Sequence, residues 1–179
     1  LLRDHSGRGN DITFVTTTLT NPSGYGRVLR DAGGRVIKVI EERDATDEER
    51  KIREINTGIY AAEKEFLLKA VKGVKRENAQ SEYYLTDIIE VAVRQGKRVG
   101  TVLAENPVEV MGINTRRELA DAERYMRERK LNDLMINGVT IIDPSNTYIR
   151  PSVSIGRDSV IYPNTFLEGN TTIGEDCVV

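Results

Sequence analysis

Histidine and cysteine are nearly missing from this chain: His5 and Cys177 are the only ones in 179 residues. One of each cannot build a tetrahedral zinc site, which draws four ligands from such residues. A basic surplus is missing too. Lys and Arg number 26 against 28 Asp and Glu, for a net charge of −2, so composition does not point to nucleic acid. No apolar run approaches the roughly 18 residues of a membrane span, and no signal peptide is visible. Cytosol is therefore the default compartment. The G-x-G-x-x-G, P-loop and H-E-x-x-H patterns do not occur. With His5 alone in a polar segment, no Ser/His/Asp set can be assembled.

What the chain does have is a strict period at its end. Aliphatic residues fall every six positions at Ile149, Ile155, Ile161, Leu167, Ile173 and Val179. Four places after each of the first five stands a smaller residue: Val153, Ser159, Thr165, Thr171 and Cys177. Neither the 3.6 period of a helix nor the period of two of a strand gives six. A parallel β-helix does, with three short strands and three turns per coil and the aliphatic residue pointing inward. Cys177 then reads as a filler of a small inward position rather than a nucleophile. The chain opens on Leu1 rather than Met and ends on the first residue of a further hexad. The expectation is an internal piece of a longer protein.

The preceding residues alternate strand and helix signals. Ile12 to Leu19 is β-branched and predicts a strand, and Asn21-Pro22-Ser23-Gly24 a turn. Tyr25–Arg30 and Arg35–Glu42 flank Asp31-Ala32-Gly33-Gly34 and predict a hairpin. Thr46 with Glu49 forms a capping box for a short helix over 47–53. Ile55–Ala62 predicts a strand. Leu67, Ala70, Val71 and Val74, then Leu85, Ile88, Ile89 and Ala92, are spaced for helix faces, with Gly96 ending the second. Val99–Leu103 and Val108–Ile113 predict two more strands. Thr115 with Glu118 makes a second capping box opening a long polar helix to about Met135, with a thin apolar face suited to bridging two domains.

Candidate chemistry lies at strand ends and turns. Gly24-Tyr25-Gly26-Arg27 is either an ordinary turn entering the hairpin or a place where backbone N–H approaches a ligand. Glu41 ends one strand and Asn56-Thr57-Gly58 begins the next. A carboxylate and an amide at neighbouring strand ends can grip sugar hydroxyls, whereas Glu42-Arg43-Asp44 reads as a solvated charge run. Glu82-Tyr83-Tyr84 precedes a helix, where an aromatic serves core or staple more often than ligand. Asn114 either offers an amide oxygen to a hard cation such as Mg²⁺ or merely leads into the Thr115 cap. Spacing alone does not decide among these.

Together the segments NPSGYGRV (21–28), VIEERDATDEER (39–50), EINTGIY (54–60), EYYLTDII (82–89) and MGINTRREL (111–119), followed by the hexads, resemble the bifunctional UDP-N-acetylglucosamine pyrophosphorylase / glucosamine-1-phosphate N-acetyltransferase family. The match covers nearly the whole chain except about its first ten residues. The resemblance implies an α/β fold: the C-terminal half of a Rossmann-like nucleotidyltransferase domain (1–114), a linker helix (115–137) and the first coils of a left-handed parallel β-helix (138–179). It implies uridylyl transfer from UTP to N-acetylglucosamine 1-phosphate, giving UDP-N-acetylglucosamine and pyrophosphate. In the whole protein this would be coupled to acetyl-CoA-dependent acetylation of glucosamine 1-phosphate, in a homotrimer formed through the β-helix. Gly26, Glu41, Asn56, Tyr84 and Thr86 match residues that hold the sugar nucleotide, and Asn114 matches a Mg²⁺ ligand. The family's glycine-rich triphosphate signature and its metal-binding aspartate have no counterpart here, so the chain by itself is expected to be inactive. Two rival readings remain at this point: an ADP-glucose or dTDP-glucose pyrophosphorylase with a β-helix tail, and a non-catalytic oligomerisation piece.

Overall fold

A computed structural model describes all 179 residues and divides them into two compact units, Leu1–Met111 and Gly112–Val179. The first unit holds helix α1 (Leu2–Arg8), strands β1 (Ile12–Thr18), β2 (Arg27–Arg30) and β3 (Val36–Ile40), helix α2 (Asp47–Arg50), strand β4 (Glu54–Ala62), helices α3 (Lys64–Lys72) and α4 (Asp87–Arg94), and strand β5 (Val99–Leu103). The five strands form one mixed sheet in the order β3-β2-β4-β1-β5. Only β1 and β5 run parallel; the other pairs are antiparallel. The expected α/β class is borne out.

Strand β1 is buried at six successive positions rather than at alternate ones, as a central strand covered on both faces must be. On one face Ile12, Phe14, Val28 and Val39 pack with Phe66 and Ala70 of α3 and Ile88, Ile89 and Ala92 of α4. The inward residues of α3 are thus Phe66 and Ala70, while Val71 is left exposed. Toward its N-terminal side the unit is closed by α1, which contacts β1, β4 and β5. His5 is therefore not in a loose polar segment. It is buried, with Nδ1 3.1 Å from the Thr13 hydroxyl and Nε2 3.7 Å from a Glu63 carboxylate oxygen. Two further expectations change. The stretch 108–113 is not a strand: Pro107–Val110 forms a 3₁₀ turn because the Asn106 side chain accepts from the Val108 N–H and proline starts the turn. The charge run 42–44 is not simply solvated either, as Glu42 binds Arg27 and Asp44 accepts from the Ala79 N–H.

Arg27 is 1% exposed and lies within β2. Its Nη2 donates to Glu42 Oε2 at 2.5 Å, and its Nη1 donates to the Tyr25 carbonyl. The same Glu42 oxygen accepts from the Gly24 N–H at 3.2 Å. This carboxylate thus ties the 21–25 turn to the end of the hairpin. Burial pushes the Glu42 carboxyl up, but the hydrogen bonds from Arg27 and Gly24 outweigh it and hold the carboxyl below its usual 4.5.

The second unit begins with α5 (Arg116–Ile136), which carries the predicted capping box and buries only Leu131 and Leu134. There follow two-residue strands: β6 (Thr140–Ile141), β7 (Tyr148–Ile149), β8 (Ser154–Ile155), β9 (Val160–Ile161), β10 (Phe166–Leu167) and β11 (Thr172–Ile173). They pair in parallel, β7 with β10 and β8 with β11, each residue opposite the one eighteen positions later. In the β6–β9 pair the offset is twenty. The two extra residues fall between Ile141 and Asn146, where a 3₁₀ turn spans Pro144–Asn146. The hexad residues Ile149 and Ile161 are buried, together with Ile141, Val153, Leu131 and Leu134. Ile155, Leu167 and Ile173 are partly buried, and Val179 is 40% exposed.

Two outcomes follow from this packing. Replacing Glu42 by Ala leaves a buried guanidinium unpaired. It should cost about 3 kcal/mol, at the low end of the range for orphaned buried charges because the Glu42 side chain keeps some solvent contact. Because the carboxyl is held low, its contribution is present above the ordinary carboxylate range and is lost as pH falls through the lowered value. The gap between parent and variant in the first unit's melting transition is thus full at neutral pH and closes in acid. In the second unit, a Cβ on Gly156 would lie 2.5 Å from the backbone atoms Glu175 N and Gly174 C. Gly156→Ala should therefore strip amide-exchange protection from residues 154–179 while leaving residues 1–111 unchanged.

Candidate functional site

Five of the six sequence-selected residues come together in the first unit. Gly26 sits where β2 begins, and its carbonyl accepts from the Asn56 N–H at 2.9 Å. A Cβ there would meet Val39 Cγ1 at 2.9 Å and the two Glu41 carboxylate oxygens at 3.4 and 3.5 Å. Glycine is thus required by the close approach of Val39, not by an unusual φ, and it leaves the backbone in contact with the Glu41 carboxylate. The Thr86 hydroxyl, 6% exposed, donates to Glu41 Oε1 at 2.8 Å across 45 residues of sequence. Tyr84 donates to Gln80 Oε1 at 3.0 Å. Burial raises the Tyr84 phenol above its usual 10.0, assisted by the nearby Asp44, Glu41 and Glu82 carboxylates. Asp87, at the start of α4, is also raised, by burial first and then by Glu90, Glu41 and Asp44. The place where these residues meet is rich in carboxylate acceptors.

Asn56 owes its position to a bulge. Across β1 and β4, Phe14 pairs with Tyr60 while Thr16 pairs with Asn56. Two residues of β1 thus face four of β4, and Gly58 takes the left-handed region at φ 81°. The bulge returns the chain so that Asn56 Nδ2 donates to the Tyr60 hydroxyl oxygen at 2.7 Å and Asn56 Oδ1 accepts from the Gly58 N–H at 3.2 Å. The Tyr60 ring lies 6.0 Å from that of Phe14. Burial pushes its phenol up to about 12, with Asn56 pulling it down and Glu41 adding to the rise.

Tyr60 and Arg27 escaped the sequence reading. For Tyr60 a signal existed: Asn56, Gly58 and Tyr60 alternate along one strand and share a face. For Arg27 none did, since an arginine in a short strand reads as surface. Asn114 belongs to the second unit. Its N–H donates to Glu118 Oε2 at 2.7 Å as part of the α5 cap, and the residue is exposed. No group of three or more His, Cys, Asp or Glu side chains is arranged to hold a metal ion. No helix is long and apolar enough to cross a membrane.

A mixed sheet flanked by helices, with a carboxylate, an amide and a glycine gathered at its strand ends, is an arrangement suited to holding a polyhydroxylated ligand. The sequence profile of the nucleotidyl transferase family matches residues 1–108, and the chain belongs to that family. Along its length it is similar to proteins named Bifunctional protein GlmU. That of Caldanaerobacter subterraneus subsp. tengcongensis is 46% identical over 179 residues, covering 100% of this chain and 39% of the relative. That of Geobacter metallireducens is 50% identical over 175 residues, covering 98% and 37%. That of Pelotomaculum thermopropionicum is 55% identical over 161 residues, covering 90% and 35%. The chain thus spans less than two fifths of the length of these relatives, and the resemblance read from its motifs is borne out.

The environment of Tyr60 can be read by alkaline titration. Its neutral form is favoured by the fold, so this contribution is intact below pH 10.0 and is lost as pH rises through about 12. Ultraviolet titration of the seven tyrosines should show a late phenol that disappears in Tyr60→Phe.

Proposed function

We propose that the first unit is the sugar-holding part of a sugar-nucleotide pyrophosphorylase acting on N-acetylglucosamine 1-phosphate and UTP. In this reaction a phosphate oxygen of the sugar phosphate attacks the α-phosphorus of UTP. The bond between α- and β-phosphates breaks, pyrophosphate leaves, and UDP-N-acetylglucosamine forms. The observation that carries this reading is the meeting of Gly26, Glu41, Asn56, Tyr84 and Thr86, drawn from segments up to 60 residues apart, around one acceptor-rich place. Glu41, steadied by the Thr86 hydroxyl, accepts from sugar hydroxyls. Asn56 offers an N–H and a carbonyl to the N-acetyl-bearing side of the sugar. The Gly26 backbone permits close approach. The work assigned to these groups is positioning, which supplies much of the catalysis where a group is transferred between two bound substrates.

In the same proposal the Asn114 side-chain amide would offer an oxygen to a Mg²⁺ ion. Such an ion neutralises phosphate charge. The six-residue period and the eighteen-residue strand offset support reading 138–179 as the start of a parallel β-helix, left-handed by analogy with the family, with 1–114 a partial nucleotidyltransferase domain and 115–137 a linker helix. The complete protein would then be a cytoplasmic homotrimer that also acetylates glucosamine 1-phosphate from acetyl-CoA.

These 179 residues contain no glycine-rich triphosphate loop. The chain alone should therefore bind UDP-N-acetylglucosamine yet release no pyrophosphate from UTP, N-acetylglucosamine 1-phosphate and Mg²⁺. UDP-N-acetylglucosamine should raise its melting temperature more than UDP-glucose does, and Glu41→Gln should weaken binding about tenfold, the effect of one charged hydrogen bond. A melting curve that no concentration of UDP-N-acetylglucosamine moves would reject the sugar assignment.

A further inference from the structure

Four residues of regular strand span about 13 Å. Asn56 and Tyr60 are four apart in β4, yet the Asn56 amide nitrogen lies 2.7 Å from the Tyr60 hydroxyl. The bulge centred on Gly58 shortens this span and helps bring the two side chains together. Its result is a carboxamide held at both ends. One N–H is taken by the Tyr60 oxygen, and the carbonyl oxygen accepts from the Gly58 N–H. A carboxamide has two N–H donors and two acceptor lone pairs, so one of each is left, with the orientation of the amide plane about its last torsion fixed. Because the Tyr60 oxygen accepts from Asn56, its own proton remains free to donate. Burial, with Glu41 adding to it, raises that phenol further above neutral pH, where it is protonated in any case. The phenol ring itself is anchored beside Phe14 and partly buried in the sheet core.

We propose that Tyr60 is a positioning residue of the sugar site. The Gly58 N–H, which can only donate, sets the sense of the Asn56 carboxamide, and the Tyr60 hydroxyl holds its nitrogen end in place, so that an N–H donor and a carbonyl acceptor are presented in one fixed order. Such an order suits an acetamido substituent, which offers a carbonyl acceptor and an N–H donor in turn, better than a hydroxyl, which can rotate to suit either. The ligand part of this rests on the sugar-site reading above; the restraint on Asn56 does not.

Two measurements on the 179-residue chain separate these parts. In ¹⁵N-labelled protein, the Asn56 carboxamide signals are identified by their loss in Asn56→Ala. They should be dispersed and slow to exchange in the parent. In Tyr60→Phe, which keeps the ring, they should shift and exchange faster while the backbone spectrum stays folded. An unchanged Asn56 carboxamide would overturn the restraint, whatever binds. In calorimetry with UDP-N-acetylglucosamine, Tyr60→Phe should weaken binding about tenfold in the parent and have no effect in the Asn56→Ala background, as expected when one residue acts through the other. Equal losses in both backgrounds would overturn the positioning role. Absence of binding by the parent would count against the sugar reading, with the carboxamide spectra still deciding the part played by Tyr60.

Discussion

A guanidinium withdrawn almost wholly from water, at Arg27, sets the geometry on which the first unit depends. Burying such a charge is costly unless it is paired and hydrogen-bonded. Glu42 and the Tyr25 carbonyl supply the partners, and both lie next to residues of the candidate site: Tyr25 precedes Gly26, and Glu41 precedes Glu42. The ion pair therefore fixes the two ends of the hairpin against each other. With those ends fixed, Gly26 packs on the Glu41 carboxylate and its carbonyl receives the Asn56 N–H. The structural pair Arg27–Glu42 and the candidate-site pair Gly26–Glu41 alternate along the same two segments.

This alternation explains what could be read from the sequence. The strands β1 to β5, the two capping boxes and the Asp31–Gly34 turn follow from β-branched runs, Thr-x-x-Glu spacing and turn residues, all of them local signals. Glu41 and Asn56 were legible as polar groups at strand ends. Arg27 was not, because its burial is decided by a partner fifteen residues away. The bulge in β4 was hidden as well. Gly58 marks it, but a lone glycine in a strand does not say how many residues are displaced. The 3₁₀ turn at Pro107–Val110 was lost for a related reason: apolar residues at 108, 110 and 111 mimic a strand, while the Asn106 cap that bends them acts through one hydrogen bond. His5 looked idle because the short helix that buries it has little intrinsic signal.

In the second unit two of the six hexad residues are buried, three are partly buried and Val179 is exposed. Ile149 and Ile161 are enclosed by α5 and by neighbouring strands, whereas Ile173 and Val179 have fewer covering residues. The same aliphatic residue type is thus core at one position and half-exposed at another, a difference set by what lies beside it and not by the repeat.

The fixed strand offset has a consequence for how such a tail changes length in evolution. Duplicating or losing eighteen residues preserves every facing partner, so whole-unit copying leaves the interior chemistry untouched. Any other insertion must be diverted outward at a corner. The two supernumerary residues near Pro144 are a case of this, accommodated without disturbing Ile141 or Ile149.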